Sequence, residues 1–412
     1  MKELVLLLCC AFLASAAAAG PVKIGIEKDL TLTFNGERFL PLGVAPGPPS
    51  DLKTPDGKNG WKELADGGIN YFRSGPTNSE WTEETWQKFE KDVAAAEAVG
   101  GIGAWAFLRE LSYLTADHPE REAALRKFVT KYKDRPGVFF WKNEDEPAWG
   151  KKDPQACIKG YKVIKQIDPD RPVVCIQAPR NTIEELRRYN DSCDVSGADI
   201  YPVSVPMGKN SHLPNKNISV VGDYTKRMVE VVHNKKPIFM VLGVTWSGVA
   251  PERGNVLIRP TLEQMRYMMY QAFIDGAKGI HWFGFPGALS EKDKPYGWNW
   301  TYWFDVMKPL LSEVKKGTEL NGVLIAPKDD MTLKVDGADD VEYLARKVGD
   351  KIYVLAAKRE GPEAAAKLSG LGVSGTADVM FENRSVPVKD GVITDSFKPN
   401  AVHVYRVTPS AK

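Results

Sequence analysis

Eight short apolar runs, separated by amphipathic stretches, most limit what this chain can fold into. They end at Phe39–Val44, Ile69–Arg73, Ile102–Phe107, Val138–Asn143, Val173–Gln177, Val195–Tyr201, Ile238–Leu242 and Gly279–Phe283. Runs this short and this apolar suit strands buried on both faces, as in a parallel sheet covered by helices. Helices are expected between them at Glu83–Val99, Glu120–Lys133, Gln155–Ile167, Thr182–Tyr189, Asp223–Asn234 and Thr261–Gly276, with Trp61–Gly67 a shorter segment. Thr82 ahead of Glu83 and Glu84 is a hydroxyl cap on an acidic first turn. Asp168–Arg171 holds two acidic residues and a proline before the fifth run, and Gly276 or Gly279 supplies a left-handed cap before the eighth. Eight strands over roughly 290 residues match the size and period of a (β/α)8 TIM barrel, an α/β fold. A doubly wound open sheet would need a glycine-rich phosphate turn after the first strand, where Pro46-Gly47-Pro48-Pro49 stands instead.

The ends of the chain differ from this middle. Lys2 followed by the apolar Leu4–Leu13 and the small residues Ala14–Gly20 reads as an export signal over residues 1–20, so a secreted or periplasmic protein is expected. The apolar stretch is too short to span a bilayer. Val22–Phe34, in segment 21–35, is expected to form strands near the C-terminal domain, ahead of a barrel over 36–327. Beyond Pro327, short alternating runs divided by Gly, Asp and Asn predict an antiparallel β-sandwich over 328–412.

Composition removes several classes of function. With 55 basic and 53 acidic residues, a net charge of +2 leaves no electrostatic footprint for nucleic acid. Five scattered His residues form no metal-binding pattern, and Cys157, Cys175 and Cys193 lack paired spacing, so neither a metal nor a cofactor is expected. The three cysteines allow at most one bridge, and buried packing suits them equally well.

Chemistry in such a barrel comes from the C-terminal ends of its strands. The fourth run ends in Trp141-Lys142-Asn143-Glu144-Asp145-Glu146-Pro147. Three consecutive carboxylates repel one another, and crowding in a cleft raises at least one pKa, as a general acid at neutral pH requires. Strand alternation would put Glu144 and Glu146 on one face and Asp145 on the other. A solvated acidic loop, with Asp145 capping the next helix, fits the same residues. Trp105, Trp141, Trp149, Trp246, Trp282, Trp298, Trp300 and Trp303 fall at or beyond strand ends. Flat aromatic walls beside a few carboxylates suit carbohydrate, although about half of these residues are expected to be core.

These pieces resemble the clan A glycoside hydrolases. Asn35–Val44 is similar to their opening strand, and Arg73, Asp145-Glu146-Pro147, Tyr201 and Trp282 follow in the order of their site residues. The resemblance implies that Glu146 is the acid/base, with Glu144 as the alternative register. It further implies that Arg73 and Tyr201 hold a partner carboxylate and that Trp282 is a sugar-stacking floor. Trp105, Asp145, Trp246 and His281 complete the expected substrate-binding set. One departure stands out: the seventh strand, Val241-Leu242-Gly243-Val244-Thr245-Trp246, lacks the glutamate that the family uses as nucleophile. Asp199 is the preferred substitute because it ends a strand; Glu110, Glu252 and Glu144 are the others. Two readings follow: a glycosidase using two carboxylates, or a carbohydrate-binding barrel that has lost catalysis.

Overall fold

The computed structural model describes residues 22–76, 80–244, 258–287 and 289–410. The segment read as an export signal, and Trp246 and Glu252, lie outside the described residues.

The eight runs are the strands of a closed parallel barrel: β4 (Leu42–Ala45), β5 (Tyr71–Ser74), β6 (Gly103–Phe107), β7 (Val138–Lys142), β8 (Val173–Gln177), β9 (Val195–Ile200), β10 (Ile238–Gly243) and β11 (Ala277–Phe283). Parallel pairing of β10 with both β9 and β11, and of β11 with β4, closes the ring. Ahead of it, β1 (Ile24–Ile26), β2 (Leu32–Phe34) and β3 (Glu37–Phe39) form a small antiparallel sheet. Val22, Ile24 and Leu32 share one apolar cluster with Tyr71, Phe139, Phe140, Val174 and Phe239, so this sheet plugs the floor of the barrel.

Strand alternation sorts each strand's side chains into two layers. Val44, Phe72, Trp141, Met240, Leu242 and Trp282 pack outward in the main core, while Tyr71, Trp105, Phe140, Ile176, Phe239 and Val241 fill the interior. Glycines make room for the interior rings: a Cβ on Gly43 would lie 2.3 Å from the Tyr71 ring.

Helices return the chain between strands: α1 (Gly60–Gly67), α2 (Glu83–Val99), α3 (Glu120–Tyr132), α4 (Pro154–Ile167), α5 (Ile183–Arg187), α6 (Val220–Val231) and α7 (Leu262–Ile274). The Thr82 hydroxyl accepts from the Thr85 amide, as the cap reading expects. Gly276, at φ 108°, follows α7 in the left-handed conformation, whereas Gly279 faces Phe239 inside β11. Helix α6 runs three residues earlier than expected because His233 and Asn234 adopt positive φ and end the turn.

The C-terminal part is a nine-stranded antiparallel sheet: β12 (Asp330–Met331), β13 (Lys334–Asp336), β14 (Val341–Val348), β15 (Lys351–Lys358), β16 (Ala364–Ser369), β17 (Gly375–Val379), β18 (Arg384–Lys389), β19 (Val392–Phe397) and β20 (Val402–Pro409). The sheet is continuous but curls, and β18 meets β19 through only two residue pairs at the crease. Val354, Ala356 and Tyr405 enter its own core, while Tyr353, Leu355 and Val404 join the main core of the barrel. Asp223–Arg359 and Lys226–Glu342 ion pairs run along the same seam.

Candidate active site

The upper interior layer of the barrel is where the apolar filling stops. Beneath it, His281 lies on Tyr71 (ring centroids 5.2 Å apart, 23°) and Tyr71 meets Phe140 and Phe239. Above this floor is a cavity of about 210 Å³ lined by Ala45, Arg73, Trp105, Lys142, Asp145, Glu146, Ile176, Asp199, Tyr201, Val241, His281 and Phe283. Seven predicted site residues therefore meet in one place: Arg73, Trp105, Asp145, Glu146, Asp199, Tyr201 and His281.

The end of β7 does not follow the expected alternation. The Asn143 amide donates to the Val174 carbonyl and the Glu146 amide to the Ile176 carbonyl, so three steps on this chain span two on β8. That extra residue breaks the period of two, as a bulge does. Glu146 then turns at φ 44°, a left-handed conformation that costs a non-glycine residue about 1–3 kcal/mol and is held by its surroundings. Asp145 and Glu146 consequently both face the cavity. Glu144 turns instead to Lys152 (3.4 Å) and accepts from the Asp145 amide, which removes it from the reacting centre.

Glu146 and Asp199 interact as neighbouring carboxyl groups, a pair that can hydrogen-bond only when one of the two is protonated. Burial raises the pKa of Glu146, with the charge of Asp145 adding to it. Burial also drives Asp199 well above the usual carboxylate range, and the neighbouring charge of Glu146 adds to the effect. Desolvation acts to raise the pKa of the partly exposed Asp145, and the facing charges of Lys142 and Arg73 overcome it and hold the group low. Tyr201 hydrogen-bonds Asp199 and stacks on Phe283 (5.8 Å, 16°).

Lys142 is the residue that sequence reading passed over. Its side chain is 2% exposed, pairs with Asp145, and lies 4.2 Å from the Phe107 ring centroid. A lysine two residues beyond the interior Phe140 is the available signal, since alternation points it into the barrel mouth. Arg73 occupies the equivalent layer on β5, over the Phe107 and Phe283 rings. Burial draws its pKa down, and the charges of Asp145 and Asp199 oppose that.

Trp282 requires a correction. It is fully buried among the outward-facing core residues and does not line the cavity; its neighbours His281 and Phe283 do. Trp141, Trp298, Trp300 and Trp303 are likewise buried core. Trp149 stands half-exposed, with the Arg180 guanidinium 4.5 Å from its ring centroid. At the end of β10, a Cβ on Gly243 would lie 2.8 Å from the Tyr201 ring, so Tyr201 fills the space a side chain would take there. Glu110 lies outside the cavity, in an adjoining groove of about 650 Å³ that also holds Arg109, Tyr113, His118, Arg121 and Lys152. Asp145 and Glu146 line both spaces. No group of three or more His, Cys, Asp or Glu side chains among the described residues is arranged to hold a metal ion.

No protein-family model matches the chain, and no curated protein sequence matches it. Solved structures do. A family 5 glycoside hydrolase from Bacteroides vulgatus is 15% identical with a TM-score of 0.63, covering 95% of this chain and 94% of that one. A structure described as a glycoside hydrolase is 13% identical at a TM-score of 0.61, covering 95% and 97%. A family 27 β-L-arabinopyranosidase from Geobacillus stearothermophilus is 11% identical at 0.59, covering 90% and 97%. These likenesses carry the fold, barrel and C-terminal sheet together. Among the described residues no helix is long and apolar enough to cross a membrane.

Proposed function

We propose that the protein is an exported glycoside hydrolase that cleaves O-glycosidic bonds with the Glu146–Asp199 pair. The observation that carries this reading is the meeting of two half-buried carboxyl groups, Glu146 and Asp199, in one cavity, with Glu146 also lining the groove that adjoins it. A general acid belongs at that boundary, because the glycosyl ring and the leaving group lie on opposite sides of it. The three solved structures named above, each described as a glycoside hydrolase or a glycosidase, are consistent with it.

A hydrogen-bonded pair is closer than the ~6.5–9.5 Å that leaves room for an inverting water, and nearer to the ~5–5.5 Å of retaining enzymes. Retention through a covalent intermediate follows. Substrate parts the two carboxyls, and the glycosidic oxygen replaces Asp199 as the partner of Glu146. Glu146 gives its proton to that oxygen while the Asp199 carboxylate attacks the anomeric carbon and the bond to the leaving group breaks. In this step the Tyr201 hydroxyl and the charge of Arg73 act against the effect of burial on Asp199 and favour its carboxylate form. Glu146, now a carboxylate, takes a proton from water as that water attacks the anomeric carbon and releases Asp199.

The test is a hydrolysis screen over aryl glycosides and oligosaccharides with wild type and Glu146→Gln. Sugar release that collapses in the variant, with the first-formed anomer retaining configuration by NMR, is expected. A wild type that binds glycans but hydrolyses none would leave a binding barrel in place of an enzyme.

A further inference from the structure

Four buried polar atoms lining the cavity have no hydrogen-bond partner among the described residues. Both ring nitrogens of His281 and the indole Nε1 of Trp105 are buried without a hydrogen bond, and both side chains are 1% exposed. Asp199 Oδ1 is buried and unpartnered as well. A buried polar group left without a partner is costly, so four such atoms around one small space mark a place prepared for a hydroxyl-rich ligand. The His281 imidazole is kept neutral by its burial and by the nearby Arg73 and Lys142 charges, so it offers one donor and one acceptor.

The dimensions and charges of the cavity narrow the ligand further. At about 210 Å³ it is smaller than the ~300–1,000 Å³ of sites that hold drug-sized ligands, and the packed rings of Tyr71, Phe140 and Phe239 close its floor. It has room for one sugar ring and no passage beneath for a second. Three carboxyl groups line it, those of Asp145, Glu146 and Asp199. Arg73 and Lys142 are the two cations among the described residues lining it, fewer than the carboxyl groups, so none is in excess to meet an acidic sugar. The neighbouring cations Arg109 and Lys152 belong to the groove and face Glu110 and Glu144 there.

We propose that this cavity takes a single uncharged terminal glycosyl ring, with His281 and Trp105 bonding its hydroxyls, so that the enzyme acts from chain ends. The inference deepens the glycosidase reading and rests on it for catalysis, but binding alone can test it. Calorimetric titration of the full chain would use D-glucose, D-galactose, D-mannose, D-xylose and L-fucose against D-glucuronate and D-galacturonate. One neutral sugar should bind at least about tenfold more tightly than either uronate, which is the scale of leaving one charge unmatched. His281→Phe keeps the stack on Tyr71 and removes both nitrogens; it should weaken that binding by about tenfold. Trp105→Phe is the second variant, and each is checked for a wild-type circular dichroism spectrum. Preferential uronate binding, no monosaccharide binding, or unchanged affinity in both variants would overturn the proposal.

Hydrolysis separates this inference from the reading it rests on. A doubly labelled oligosaccharide should lose monosaccharide from one end only. Cleavage at internal bonds would remove the terminal-ring inference and leave a glycosidase. Neutral monosaccharide binding without hydrolysis of any substrate would do the reverse.

Discussion

The roles within the Glu146–Asp199 pair can be separated by the leaving group. General acid catalysis contributes about 10²–10⁴ in rate, or about 2.7–5.4 kcal/mol at 1.36 kcal/mol per decade. Glu146→Gln keeps an amide able to donate to Asp199, so the geometry of the pair survives while its transferable proton is lost. With a poor leaving group such as a methyl or sugar alkoxide, kcat/KM should fall by the full ~10²–10⁴. With a dinitrophenyl leaving group, which departs without protonation, kcat/KM should recover to within about tenfold of wild type, and azide should accelerate turnover by replacing water in the second step. Asp199→Asn removes the nucleophile, so its loss should be large with either leaving group. Steady-state rates by absorbance of the released phenol measure all of this. The Asp199 carboxyl is the deeper and more strongly desolvated member, which makes the reverse assignment a physical possibility with its own signature. If Asp199→Asn is rescued by the good leaving group and Glu146→Gln is not, the assignment of roles is wrong. If neither substitution affects the rate, the pair is not the catalytic centre.

Other outcomes follow from the same geometry. Lys142→Met should raise the alkaline limb of the pH–rate profile, because Lys142 lowers the pKa of Glu146; chemical denaturation should register a loss of about 1–3 kcal/mol, less than for a fully buried pair because the Asp145 side chain is 40% exposed. Glu144→Gln should leave kcat within about threefold of wild type, since Glu144 is buried against Lys152 and does not line the cavity; a loss near that of Glu146→Gln would restore the alternative register. Asp275, in the seam with the C-terminal sheet, has its pKa raised by burial and by Glu342 to about 7. The folded state there keeps a proton that the unfolded chain releases, so stability present at low pH is lost as pH rises from about 4 to about 7. Asp275→Asn should therefore raise the melting temperature at pH 8 by an amount worth about 1–3 kcal/mol and give no gain at pH 4; an equal effect at both values would contradict this.

Most of the barrel was legible because its signals are local. Apolar runs of strand length, a Thr82 cap and a glycine at the end of α7 act through neighbouring residues, and each stands where the pattern placed it. The continuous curled sheet was legible as short strands but not as one sheet, since the pairings that join it, β13 with β16, β16 with β19 and β17 with β20, bring together strands far apart in the chain. In the site, Arg73, Trp105, Asp145, Glu146, Asp199, Tyr201 and His281 were readable as strand-end residues. Trp282 was misplaced because a family motif was followed past the alternation of its own strand, which puts His281 inward and Trp282 outward.

The amino-acid sequence by itself determined the eight strands, their order, and the set of side chains available at the barrel mouth, because period and capping are properties of adjacent residues. Only the tertiary structure decided which of those side chains meet. One extra residue against β8 sends Glu144 to Lys152 and brings Asp145 and Glu146 inward. Ring closure carries Asp199 from another strand to within hydrogen-bonding distance of Glu146. Their raised pKa values are a product of burial and of that approach, and neither exists until the barrel closes.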